Sequence, residues 1–338
     1  MADAAWCPAC ATVEPLDHRT EWFENFYSDL IWRFAPEHLF RFPMCWRMWR
    51  AVARGFTWTV TRTLRWMGAL RLDDGDGVGA VRTRLVLDAA RARGDHVGRL
   101  RFLGYRTPVS VVERDGHWYC FSVLPRGNAG PRSLRIEDKH VFRRTCIGLG
   151  LPVPPGGVAR TFAVARRIAE SVGYPVVVKP RSGSRSRHVT VDVRDAEALR
   201  IAFETARQCD WKVVVERQVP GDVLRMTLVS GRLVAAALRQ PTEGWRVTLE
   251  AGGRITDVTD ELHPSIVDAA ERLARALEVQ LVGFDAIASD HRRPINDAPF
   301  AFIEANGLPF IEMHHTPDVG QPRDVAGALL DILLTSQR

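Results

Sequence analysis

Lysine is almost missing from this chain of 338 residues. Only Lys139, Lys179 and Lys212 are lysine, and the other 43 of the 46 basic residues are arginine. Also missing is any apolar run near the roughly 18 residues a membrane helix needs, which excludes a bilayer span. The opening MADAAWCPAC has neither the basic start nor the apolar stretch of a secretory signal, so the cytoplasm is the expected compartment. Cysteine is sparse. Cys7, Cys10, Cys45, Cys120, Cys146 and Cys209 are too scattered for a disulfide framework and read as reduced thiols. With 46% hydrophobic and 25% charged residues, the composition excludes a disordered or collagen-like chain. The length leaves room for two or three structural units.

The arginine bias reads as genome composition, yet it gives the three lysines meaning. Guanidinium is a wide planar fork and an ammonium is a compact point charge, so a tight pocket around a phosphate is one place where arginine cannot replace lysine. The positive charge is also uneven. From His38 to Leu72 there is no acid but seven arginines, and seven of the ten tryptophans lie before residue 73. Trp46, Trp49, Val52, Ala53, Phe56 and Val60 fit one face of a helix. Cys7-Pro8-Ala9-Cys10 has no second CxxC to complete a four-ligand zinc site and reads as a thiol-bearing tail, although His18 and Cys45 could in principle join it.

Beyond the loop LDDGDGVG the patterning is regular. Residues 80–93 read as a helix, and 109–123 as a hairpin turning at Asp115-Gly116. A helix begins near Lys139 and stops before Pro152, Pro154 and Pro155. Helices are expected over Thr161–Val172, over Asp195–Cys209 with Asp195 as cap, over His263–Glu278 and over Gln321–Leu334. YPVVVKP, HVTVDV, WKVVVERQV, LVGFDAIASD and FAFIEANG read as strands. VLRMTLVSGRLVAAALRQ and WRVTLEAGGRITDVTD read as hairpins. Hairpins mixed with single helices indicate an α+β class.

Two constellations carry chemistry. Lys179 ends an apolar strand that must be buried, so its charge needs an anion. The small-residue stretch that follows, from Arg181 to His188, holds three arginines and could close over a polyanion, or be a surface hairpin. Asp285 and Glu304 each follow an apolar run, and Asn306 shares the side of its strand with Glu304. Two carboxylates and an amide oxygen suit Mg²⁺ completed by phosphate oxygens and water, although a buried acid paired with arginine is the simpler alternative.

The order of these parts resembles the ATP-grasp family of carboxylate–amine ligases, and within it the ATP-grasp portion of cyanophycin synthetases. The carrying segments are DKHVFRRTCIGLGLPVPPG, AESVGYPVVVKPRSG, WKVVVERQVPG, TDVTDELHPS, VGFDAIASD, IEANGLP and MHHTPDVGQPRDVAGALLDIL, spanning about residues 137–334. The resemblance implies an ATP-grasp fold, with ATP and Mg²⁺ as cofactors and amide formation through an acyl-phosphate. The substrates it implies are a small carboxylate and an amine, an amino acid or peptide. It assigns Lys139 and Lys179 to ATP phosphates, with Lys179 also catalytic. The loop Gly183, Arg185 and Arg187 closes over the phosphates. Glu216, Arg217 and Val219 form the adenine hinge, and Asp222 stands near the ribose. Asp285, Glu304 and Asn306 become the Mg²⁺ ligands, and Arg225 neutralises the acyl-phosphate. Phe310, His314 and Arg323 line the substrate pocket. Lys212 receives no role and is expected on the surface.

The chain departs from the family in places. Ser186 and His188 stand where the family loop has glycine, Val223 stands where an acid is usual, and Phe310 replaces a glycine after Pro309. The expected organisation is a Trp/Arg-rich extension (1–72), a small α/β domain (73–136), a central lid subdomain (137–215) and a C-terminal subdomain (216–338). Residues 38–72 suit an interface, either a homodimer face or a dock for an acidic protein or carrier, and no nucleic-acid motif accompanies them. Two other readings stay open: a nucleotide-binding scaffold with weakened catalysis, and a ligase acting on a peptide or protein terminus.

Overall fold

Among the described residues of the computed structural model the strands gather into three sheets whose ladders are all antiparallel, and one isolated bridge, Thr256 to Val319, is parallel. The structure describes residues 62–73, 80–127, 136–182, 187–241 and 253–336, with Trp22 and Ser133 besides. Outside the described residues lie the expected Trp46–Val60 helix, Cys7 and Cys10, the loop glycine Gly183 with Arg185 and Ser186, and the first half of the 245–260 hairpin.

The first sheet runs β1 (Leu70–Asp73), β2 (His96–Phe102), β3 (Tyr105–Arg114) and β4 (His117–Phe121), with α1 (Val81–Ala92) between β1 and β2. Its last hairpin turns where expected. Asp115 (φ 53°) and Gly116 (φ 74°) both take left-handed conformations, the two-residue turn whose twist matches the strands.

After α2 (Lys139–Gly148), the second sheet is built from β5 (Gly156–Ala159), β6 (Val176–Pro180), β7 (Thr190–Val193) and β8 (Val213–Arg217), in the order β5-β8-β6-β7. Helices α3 (Phe162–Val172) and α4 (Ala196–Arg207) cover it, packing Ala165, Ala169, Leu199 and Phe203 on Val176, Val178 and Val215. Thr161 and Asp195 cap these helices with their side chains, accepting from Val164 N at 3.4 Å and Ala198 N at 2.8 Å.

The third sheet holds β9 (Asp222–Val229), β10 (Arg232–Gln240), β11 (Arg254–Asp257), β12 (Leu281–Ala288) and β13 (Phe300–Asn306), in the order β11-β10-β9-β12-β13. Around it lie α5 (Pro264–Ala276), α6 (Glu312–His315) and α7 (Val325–Ser336). Strand alternation divides its side chains between two faces. Leu224, Met226, Leu228, Val282, Phe284 and Ala286 pack against α2 and α5. Phe284 is fully buried, and truncating it to alanine would cost about 3–5 kcal/mol. On the other face Val229, Ala235 and Leu281 meet α7 and share one core with Val86, Val112 and Phe121 of the first sheet's unit. The same face also carries Arg225, Thr227 and Asp285. Among the described residues no helix is long and apolar enough to cross a membrane.

Candidate functional site

Strands β9, β12 and β13 build the centre of the site. Arg225 and Thr227 are two apart on β9 and so share a face. The register sets Arg225 opposite Asp285 and Thr227 opposite Gly283 on β12, then Asp285 opposite Glu304 and Gly283 opposite Asn306 on β13. A bulge completes the arrangement. Asp285 faces Glu304 while its neighbour Ala286 faces Phe302, so Ile303 is an extra residue. It lets Phe302 enter the core while Glu304, two positions on, stands with Asp285 and Asn306.

The three expected metal-site residues are brought together. Asn306 Nδ2 lies 3.4 Å from Asp285 Oδ2 and 3.3 Å from Glu304 Oε1. Asp285 is also held by arginine. Arg225 donates from Nε at 2.5 Å and from Nη2 at 2.8 Å, and Arg239 stands at 3.8 Å. Burial alone would raise the Asp285 pKa, but the two guanidinium groups hold it below the usual carboxylate range, so it is ionised at neutral pH. Among the described residues no three His, Cys, Asp or Glu side chains converge on one point. Two carboxylates and one amide, whose N and O are interchangeable by a flip, fit Mg²⁺ if outside oxygens complete the shell. The arginine pairing considered as the alternative is present at the same time.

Lys139 is the first residue of α2, held there by Asp138, whose carboxylate caps the helix by accepting from His140 N and Val141 N. Its Nζ stands 3.8 Å from Glu304 Oε2. Burial pulls its pKa below the ordinary lysine value, Glu304 opposes that, and nearby Lys179 adds to it. Lys179 on β6 is buried and bonds Glu216 on β8 at 2.7 Å, and Arg143 reaches the same carboxylate at 3.8 Å. The two lysines therefore meet between the second and third sheets, each against a carboxylate.

The remaining expected residues are placed as follows. Arg217 is exposed, and its N–H bonds Pro155 O at 2.8 Å. Val219 and Asp222 are half-buried, and Asp222 accepts from Gln240 Nε2 at 2.6 Å. Arg187 is half-buried, with Nε lacking a hydrogen-bond partner. Phe310 lies under the Arg82 guanidinium, 4.4 Å from the ring centre. His314 is 2% exposed, with Nε2 2.8 Å from Thr227 Oγ1. Burial, then Arg225, lowers its pKa to about 3, so the ring is neutral. Arg323 is engaged by Asp257 and Asp260, each at 2.6 Å.

Lys212 corrects an expectation. It is 7% exposed, not on the surface, and its ammonium lies 4.4 Å over the Trp211 ring. Its backbone N–H and that of Ser182 both bond buried Asp210, at 2.9 Å each. Arg181 and Asp138 form a two-bond pair beside it, at 3.0 and 2.6 Å. Sequence reasoning gave Asp138 and Asp210 no role, although each stands within two residues of a lysine, and Arg181, read as part of a loop over a polyanion, is paired with Asp138 instead. Nothing local could have found Arg82, Arg143 or Arg239, whose partners are distant in sequence or across a sheet.

This architecture is the ATP-grasp fold. The bifunctional glutathione synthetase of Pasteurella multocida superposes with a TM-score of 0.57 at 19% identity, over 76% of this chain and 44% of that one. The ATP-grasp ligase PsnB, complexed with minimal precursor, Mg and ADP, gives 0.54 at 16% identity, over 78% of this chain and 96% of its own. In sequence, the D-ala D-ala ligase C-terminus family matches residues 156–240. The chain is similar to cyanophycin synthetase: an alignment of 264 positions with that of Nostoc sp. (strain PCC 7120 / SAG 25.82 / UTEX 2576) is 28% identical and covers 60% of this chain. It spans only 29% of that relative's length.

Proposed function

We propose that the chain is an ATP- and Mg²⁺-dependent ligase that joins a carboxylate to an amine, with ADP and phosphate as the other products. The observation that carries this reading is the meeting of Lys139, Glu304, Asn306, Asp285 and Arg225 at one point of the third sheet, with Lys179 and Glu216 facing it. Such a site offers cations and hard oxygen donors but no nucleophile, which suits a reaction between two bound substrates.

A substrate carboxylate oxygen attacks the γ-phosphorus of ATP, the bond to the bridging oxygen breaks and ADP leaves. The amine nitrogen then attacks the acyl carbon, the bond to the phosphate oxygen breaks, and the proton shed by nitrogen goes to the departing phosphate or to water. Lys139 and Lys179 would exchange Glu304 and Glu216 for phosphate oxygens, and Arg225 would offset charge on the acyl-phosphate. Asp285, Glu304 and Asn306 would hold Mg²⁺, which neutralises neighbouring phosphate oxygens when bound. The finer substrate class is an amino acid or peptide. The structural neighbour PsnB, complexed in another structure with a precursor peptide and AMPPNP, supports it.

The test is ADP release with Mg²⁺ and a panel of acids and amines. Turnover is expected for at least one pair, and Glu304→Ala and Lys179→Ala should each lower it at least about 100-fold. ATP binding without ADP release from any pair would favour a scaffold instead. Full turnover in both variants would refute the assignment of these residues.

A further inference from the structure

Lys139 and Lys179 hang from different cores. Lys139 opens α2, whose Phe142 and Cys146 pack in the core of the third sheet, whereas β6 places Val176 and Val178 in the core of the second. Burial lowers the pKa of Lys139, and the charge of Lys179 is close enough to lower it further. Two like charges this close repel, so their spacing must be held by other contacts.

Asp138 and Arg181 are placed to hold it. Asp138 immediately precedes Lys139, and Arg181 stands two residues after Lys179. The Arg181 guanidinium donates side-on to the carboxylate, from Nε to Oδ1 at 3.0 Å and from Nη2 to Oδ2 at 2.6 Å. Oδ1 also accepts from His140 N at 3.0 Å and Val141 N at 3.3 Å, so one carboxylate both starts the first lysine's helix and grips the end of the second lysine's strand. Arg181 is 7% exposed. Its backbone is fixed in turn. Its N–H donates to Lys212 O at 3.1 Å, and Asp210 joins Ser182 N to Lys212 N. Arg143 makes a further crossing from α2 to the second sheet, to Gly156 O at 3.3 Å and Glu216 at 3.8 Å, about one turn beyond Lys139.

A buried ion pair adds little net stability over a neutral replacement. What the two-bond fork adds is a fixed distance and angle between its partners. We propose that Asp138 and Arg181 are positioning residues: their pair sets the spacing of Lys139 and Lys179, and so the fit of both ammonium groups to the phosphates of ATP. Arg181 acts through Asp138 and does not itself hold a phosphate. The inference rests on the ligase reading, in which these two lysines bind phosphate.

Calorimetry on the full chain with Mg²⁺ tests it by comparing AMPPNP with adenosine, which lacks phosphate and is measured by its competition with AMPPNP. The variants are Arg181→Gln, Asp138→Asn, which retains a capping side chain, and the two combined. Each single variant should weaken AMPPNP by about 10–100-fold and leave adenosine within about twofold. The double variant should bind no more weakly than the worse single one, as for two ends of one interaction. Unchanged adenosine affinity verifies that the variants are folded. Arg181→Lys, which keeps the charge but not the fork, is the milder change should a neutral variant fail to fold, and its loss of AMPPNP affinity should be intermediate. An equal loss for adenosine would mean a general structural role and overturns the proposal, as do losses that add in the double variant. Asp138→Asn binding AMPPNP as tightly as the unaltered chain also overturns it. If Lys179→Ala weakens AMPPNP while the pair variants do not, the proposal fails and the lysine assignment stands. An unaltered chain that binds AMPPNP no better than adenosine sinks both.

Discussion

His314 gives the site an acid limit that can be worked out in advance. Its ring is enclosed, with Thr227 on one nitrogen and Arg225 close by, and its pKa falls to about 3 from an unfolded value of roughly 6.5. The native state therefore favours the neutral ring. That preference contributes fully above pH 6.5 and is lost as the pH falls from 6.5 toward 3, because the unfolded chain takes up the proton first. By pH 5 about 1.5 units of the difference have been used, worth about 2 kcal/mol. The perturbation is His314→Gln, which keeps a polar group for Thr227 and removes the titration. Urea unfolding at pH 7.5 and pH 5.0 should show the unaltered chain losing about 2 kcal/mol more than the variant. His315, also lowered by burial, and the paired carboxylates titrate in both chains and cancel in the comparison. Equal losses would refute the reasoning and mean that His314 is charged, or hydrated, in the folded state.

Gly283 cannot carry a side chain without displacing Pro309 or Arg225, so Gly283→Ala should cost about 1–3 kcal/mol in unfolding free energy and raise KM for the carboxylate or amine more than for ATP. Lys139→Arg and Lys179→Arg keep the charge but widen the head in enclosed positions, and each should lower kcat/KM for ATP by about 10–100-fold in the ADP-release assay. Lys212→Arg would be silent if the residue lay on the surface. Packed on Trp211 beside Asp210, it should instead lose about 1–3 kcal/mol by chemical unfolding.

What the sequence made legible was local. The Asp115-Gly116 turn, the cap Asp195 and the pairing of Glu304 with Asn306 across one residue all follow from neighbours a few positions apart. Lys212 shows the limit of such reasoning. Alternation along WKVVVE does not say whether the strand's start lies under a loop, and here the turn from Asp210 encloses it. The bulge at Ile303 is a second limit. FAFIEAN read with strict alternation puts Phe302 and Glu304 on one side, and only the partner strand's register reveals the extra residue. The Arg82–Phe310 contact joins residues more than two hundred positions apart, and neither carries a mark of the other.

Arg225 connects the two halves of the site, and that makes it separable by experiment. Nε and Nη2 are spent on Asp285, while Nη1 turns over Gly283 toward the 308–314 loop. A lysine there could match the charge but not hold both. Removing the guanidinium leaves Asp285 buried with Arg239 at 3.8 Å as its remaining cation, so Arg225→Met should destabilise the chain by about 3–5 kcal/mol. Pairing it with Asp285→Asn removes the stranded charge and should return most of that stability, because a buried ion pair contributes little net over a neutral replacement of similar volume. Activity should not return, since both the carboxylate and the guanidinium are gone. A single variant as stable as the unaltered chain would mean that Asp285 finds its counter-charge elsewhere, and the account of this site as a carboxylate held ionised by arginine would have to be abandoned.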